Sequence, residues 1–243
     1  MGCPHPAKNV RQSRRRGARA PRLQKLSDII LAVCPFLDIP SQPLHTVAFV
    51  LLKRPATDTF QGFTVFSAEH GPLHVMQRIA KKSGPLTLSL DLFDEVDLRM
   101  ESSNERRTWF IKESRLVNRH AEIGRSYETL VQASALATLI ARNTVDEASR
   151  AAVADLLRIA LAAFGTADRA DIVYFKSLYR FARDEGYPVK EQWFPTLPAA
   201  DRTSAAELLN RPLNTQTALP AVVTRLRRRL EEYLRGHTEI LID

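Results

Sequence analysis

Two groups of residues in this chain have types and spacing suited to chemistry. The first is acidic. Asp91, Glu95 and Asp97 recur along one stretch, and acids grouped on one strand could hold Mg²⁺ for phosphodiester cleavage. No histidine, lysine or fourth acid is spaced to complete such a site, so a solvated edge face is the plainer reading. His70 and His74 straddle Gly71-Pro72, where no regular element pairs them as ligands. The chain has no phosphate-binding loop, dinucleotide fingerprint or nucleophile motif. It reads as a non-enzyme that needs no cofactor and no metal.

The second group is basic and aromatic. One set comprises Lys53, Arg54, Arg78, Lys81 and Lys82, and the other Arg99, Arg106, Arg107, Trp109, Phe110, Lys112 and Arg115. Basic side chains neutralise phosphates while aromatic faces stack on bases, worth about 1–3 kcal/mol per stacked base, and such binding tolerates any sequence. Trp109, Phe110, Phe63 and Phe66 also compete for the core, because aromatic residues dominate small cores. The acids on the wet face of the fourth strand would repel DNA, which places it on the opposite side.

The elements carrying these residues are five strand-like segments between Leu44 and Val117, followed after His120 by helical patterns alone. The clearest strand spans Leu86 to Met100, where apolar residues alternate with Thr, Ser, Asp, Glu and Arg. His45 to Lys53 is apolar on both faces, and Thr59 to Ser67, Leu73 to Ala80 and Thr108 to Val117 are bounded by turn residues. Gly62 suggests a bulge. The class is α+β, a five-stranded oligonucleotide-binding-fold-like barrel on residues 44–119 and an all-helical domain on residues 120–243; an open five-stranded sheet is the alternative.

An apolar strand (Val47 to Leu52) is followed by Asp58 in the next loop, Phe63 to Ser67, the turn Glu69-His70-Gly71, Lys81-Lys82 and Leu86 to Leu92. That order and spacing resemble the amino-terminal barrel of the recombination-mediator RecO family. Phe175 to Gly186 with Tyr187-Pro188, and Leu226 to Gly236, are similar to that family's later helices. Three features depart from the pattern. Ile79-Ala80-Lys81-Lys82 lacks the family's glycine, residues 187–218 contain none of its zinc-binding cysteines, and Glu239 to Asp243 replaces its basic ending. The resemblance implies binding to single- and double-stranded DNA and annealing of complementary strands. It also implies a RecR-like partner, indirect action on RecA, and engagement of the acidic, apolar-ended tail of single-stranded DNA-binding protein (SSB). For that tail an apolar groove rimmed by cations is needed, which Lys176, Arg180 and Arg183 beside Phe181 could supply.

Charge refines the expectation. The formal net charge is +8, but residues 1–22 hold seven basic residues and no acid, leaving 28 basic against 27 acidic residues elsewhere. Any cationic interface in the folded part is therefore a local patch, with a disordered basic tail at 1–22 adding salt-sensitive attraction. Residues 23–43 read as a helix and linker. With 243 residues the chain can bury one large core or two modest ones, and the switch of pattern near residue 119 favours two. Two cysteines, Cys3 and Cys34, make neither a disulfide framework nor a four-ligand metal site, which predicts a reducing, cytoplasmic setting, and the family resemblance implies association with the nucleoid there. Leu26 to Leu37 is too short and too polar to cross a bilayer, so no membrane is expected.

Helical periodicity places Ile123, Tyr127, Leu130, Ala137 and Ile140 on one face, and Val153 through Phe164 on a second. A third stripe, Ile172 through Ala182, stops at Gly186 in a C′ position. The last helix begins near Pro220 and turns Arg225, Arg228 and Arg229 outward. Two other readings belong to different classes: a helical protein-interaction adaptor that does not bind DNA, and a Mg-dependent nuclease using Asp91 or Glu95.

Overall fold

A computed structural model of the chain describes residues 42–79, 88–102 and 107–242. Every described residue belongs to one compact unit, Pro40–Asp243. The expected tail at 1–22, the helix and linker expected at 23–43 up to residue 41, and Lys81, Lys82 and Arg106 lie outside the described residues, while Gln42 and Pro43 of that linker open the first strand.

Five strands form β1 (Gln42–Lys53), β2 (Phe60–Ser67), β3 (Gly71–Arg78), β4 (Glu95–Ser102) and β5 (Trp109–Asn118). Neighbours pair antiparallel except β3 and β5, which run parallel through Val75 with Trp109 and Met76 with Phe110. That pairing closes the ring in the order β1-β2-β3-β5-β4. Side chains alternate across each strand, so Ala48, Val50, Phe63, Val65, Val75, Val96, Leu98, Met100 and Trp109 fill the interior with Leu90.

The opposite face of part of the ring is also dry. Phe49, Leu51 and Phe66 point outward into a larger core built by the helices, with Phe93 beside them. This explains why the first strand is apolar on both faces: one face fills the barrel and the other seats the helices. Arg158 reinforces the seam, its Nη2 3.0 Å from the buried Glu95 carboxylate and its guanidinium 5.5 Å from the Phe49 ring centroid.

Two strand expectations change. Among the described residues of Leu86 to Met100, regular strand begins only at Glu95. Before it the chain turns tightly: Asp91 N–H donates to Asp94 Oδ2 at 2.9 Å, and Phe93 adopts a left-handed φ of 68°. Leu90 consequently enters the barrel while Phe93 enters the helical core, and Asp91 leaves the strand that carries Glu95 and Asp97. The bulge expected at Gly62 falls instead between Val50 and Leu52, where Val50 N–H donates to Asp94 O and Phe93 N–H to Val50 O. Gly62 itself sits in regular register with Met76.

A 3₁₀ turn (Ala121–Arg125) leads into six helices among the described residues. They are α1 (Tyr127–Arg142), α2 (Arg150–Thr166), α3 (Ala170–Asp184), α4 (Val189–Thr196), α5 (Ala199–Asn210) and α6 (Pro220–His237). Ser126 Oγ accepts from Thr129 N–H and caps α1, so Ile123 belongs to the preceding turn and Tyr127, 84% exposed, opens the helix on its wet side. The expected single stripe from Ile123 through Tyr127 is therefore two elements. α3 is central, burying Ile172, Phe175, Leu178, Phe181 and Ala182 against the surrounding helices. It ends where Gly186 takes φ +86°, the left-handed residue past the helix that periodicity suggested. No helix among the described residues is long and apolar enough to cross a membrane.

Candidate nucleic-acid interface

Because β2 alternates, Phe60 and Gly62 share its outer face with Thr64 and Phe66. The helices cover Phe66; Phe60 stays half-buried at the other end. Met76 and Arg78 continue this surface on β3 and Phe110 on β5, across the parallel pairing. Phe60 and Phe110 meet edge to face with ring centroids 5.6 Å apart. An added Cβ on Gly62 would stand 3.3 Å from Met76 Sδ and 3.5 Å from Arg54 Cβ, so Arg54 lies flat over the glycine beside the sulfur. The result is a half-exposed apolar floor of Phe60, Met76 and Phe110 on three adjacent strands.

The loop after β1 is fastened around this floor. Arg54 N–H donates to Gly62 O and Thr57 N–H to Phe60 O, each at 2.9 Å, and Gln61 Nε2 donates to Arg54 O. Arg54 and Arg78 are exposed at the edges of the floor, and Arg107 is exposed three residues before Phe110. None of these three makes an ion pair among the described residues. The other described cations of the two predicted sets are paired. Lys53 lies 3.7 Å from Asp91, Lys112 3.0 Å from Glu101, Arg115 3.2 Å from Asp97 and Arg99 3.2 Å from Glu113.

Thus Arg54 and Arg78 of the predicted residues border the surface that carries Phe110, and Arg107 precedes Phe110 by three residues, while Lys53, Lys112 and Arg115 are spread over β1 and the β4–β5 side. Trp109 is corrected: it is 5% exposed within the barrel core, its indole Nε1 buried without a partner, and strand alternation turns its neighbour Phe110 outward instead. Reading the sequence missed Phe60, Gly62 and Met76. Alternation from the inward Phe63 and Val65 was the signal that places Phe60 and Gly62 outside.

The acids do not gather. Glu95 is held by Arg158, and Asp91 lies beyond the start of β4. Asp97 accepts from His45 Nε2 at 2.6 Å and from Arg115; against the effect of burial, these hydrogen bonds hold its carboxyl below its ordinary value. Among the described residues no three His, Cys, Asp or Glu are grouped to hold a metal ion.

A second concavity of about 550 Å³ opens between α2, α3, α4 and α5. Ile159, Ala163, Phe194, Leu209 and Leu213 supply apolar lining, and Lys176, Arg180, Arg183 and Lys190 are its cations. Lys176 Nζ donates to Arg211 O at 2.8 Å, and burial pushes its pKa down. Arg180 and Arg183 share Asp184. Phe181 is corrected: it points into the core at 0% exposure, and Phe194 with Tyr179 gives this groove its aromatic wall. The arginines expected to face outward on α6 keep exposed side chains, and each is paired: Arg225 and Arg229 with the buried Asp201 of α5 and Arg228 with Glu232.

No family model matches the chain, and no curated protein matches it either.

Proposed function

We propose that the chain is a non-catalytic recombination mediator of the RecO kind. It binds single- and double-stranded DNA on its barrel, anneals complementary strands and, with a RecR-like partner, assists RecA loading onto SSB-coated DNA in the cytoplasm, at the nucleoid. The reading takes the ring as an oligonucleotide-binding fold. In that fold the second and third strands, with the loops after the first and fourth, form the binding face. The observation that carries the reading is where three arginines without an ion pair among the described residues fall. Arg54 lies in the loop after β1, Arg78 at the end of β3 and Arg107 in the loop before β5, and β2, β3 and β5 carry the apolar floor. Phosphates neutralised there lower the repulsion between two strands, so annealing requires no nucleotide hydrolysis.

The helical groove supports the second half of the reading. An acidic peptide with an apolar end places its carboxylates on Lys176, Arg180, Arg183 and Lys190 and its apolar residues against Phe194 and Leu209. The same groove would serve an adaptor that never touches DNA. Measuring single-strand affinity at several salt concentrations, with the full chain and with one lacking residues 1–22, separates the two. Salt-sensitive binding that survives the truncation supports the mediator. Binding that vanishes with the tail removes the barrel from the reading and leaves the adaptor.

A further inference from the structure

We infer that the Phe60–Phe110 pair makes the barrel face selective for unpaired bases over duplex, an inference that rests on the DNA-binding reading above. The two rings meet across β3 at 5.6 Å and 69°, so one offers its edge to the other and the pair cannot collapse into a closed stack. Both rings stay half-exposed although three other aromatic residues nearby, Phe63, Phe66 and Trp109, are buried. Met76 completes the floor between them in register with Phe110, and Gly62 leaves room for its sulfur.

The occupant follows from the charge around the floor. Arg54 packs against Gly62 and Arg78 stands in register with Phe60, and neither they nor Arg107, three residues before Phe110, makes an ion pair among the described residues, whereas the acid in register with Phe110, Glu101, is neutralised by Lys112. An apolar, π-bearing ligand that carries its negative charge at the periphery fits this arrangement, and a nucleotide within a single strand has that form. Duplex DNA does not. Its bases are stacked on each other, so it offers the arginines its phosphates but offers the rings no free π-face. Cation contacts therefore serve both forms of DNA, and the aromatic pair serves only one.

The test compares affinities for a single strand and for a duplex of equal length at one salt concentration. For Phe60→Ala/Phe110→Ala the single-strand affinity falls by about 5- to 100-fold while duplex affinity stays within about twofold. Phe60→Tyr/Phe110→Tyr retains the preference and Phe60→Leu/Phe110→Leu loses it, which separates stacking from apolar packing in folded protein. A Phe110→Trp chain gains an indole whose fluorescence single strands quench. Equal losses for both ligands, or an unchanged single-strand affinity in the alanine variant, overturn the inference. Arg54→Ala/Arg78→Ala/Arg107→Ala reports on the underlying reading separately. If it alters neither affinity, the face is not the DNA interface at all; if it weakens both while the phenylalanine variants change nothing, only the selectivity claim falls.

Discussion

Removing Arg54, Arg78 and Arg107 together is the perturbation whose size follows most directly from the site. All three are exposed and none makes an ion pair among the described residues, so each is available to one phosphate. Each phosphate contact on a single strand contributes about 0.7 to the slope of log affinity against log salt, so Arg54→Ala/Arg78→Ala/Arg107→Ala lowers that slope by about 2. Between 50 and 200 mM salt, a fourfold change, wild-type affinity therefore falls about 16-fold more than the variant's. All three side chains are exposed, so stability should stay within about 0.5 kcal/mol of wild type for each. The assay is fluorescence anisotropy with a labelled single strand over a salt series, using the chain without residues 1–22 so that its arginines do not contribute. Arg125→Ala/Arg211→Ala/Arg228→Ala is the control, removing the same charge from the helical half, where each arginine pairs with a glutamate. If both triple variants lower the slope alike, affinity follows net charge and the argument for a discrete face fails.

Two further outcomes follow from the packing. Phe66 is fully buried at the seam between barrel and helices, so Phe66→Ala should destabilise by about 3–5 kcal/mol, and urea unfolding should remain one transition. Trp109 in the barrel and Trp193 in the helical core give each half its own fluorescence, isolated by replacing the other with Phe; separate midpoints for the two would contradict a shared core. Asp201 accepts hydrogen bonds from Arg225 and stands beside Arg229, and these hold its carboxyl below the ordinary value of 3.8. A lowered folded-state pKa means that the stabilisation is present above that ordinary value and lost as pH falls through the folded one. Asp201→Asn should therefore be less stable than wild type at pH 7, with the gap closing below about pH 4; a gap independent of pH in urea titrations would refute the assignment.

The place of the strands was legible because alternation and turn residues are local properties. Glu69-His70-Gly71 forms its turn with Gly71 at φ +69° and Ser67 Oγ accepting from the Glu69 and His70 N–H groups, all within five residues. The four shorter strands lie within two or three residues of their expected ends at nearly every boundary. The long alternating stretch misled because Leu90 and Phe93 are buried like strand residues but by different cores, which no pattern within one segment distinguishes.

What the sequence determined by itself was the order of strands before helices, the stop at Gly186, and a charge balance over residues 23–243 so nearly neutral that any cationic face there must be local. Which cations remain free was decided only by tertiary structure, since pairing depends on acids brought close from elsewhere in the chain. Lys53 meets Asp91 from the segment before β4, Arg225 and Arg229 meet Asp201 from another helix, and Arg54 meets none among the described residues. The same holds for the aromatics. Trp109 and Phe110 are neighbours in sequence, and pleating sends one into the barrel and the other across β3 to Phe60, a contact between residues fifty positions apart that closure of the ring alone brings about.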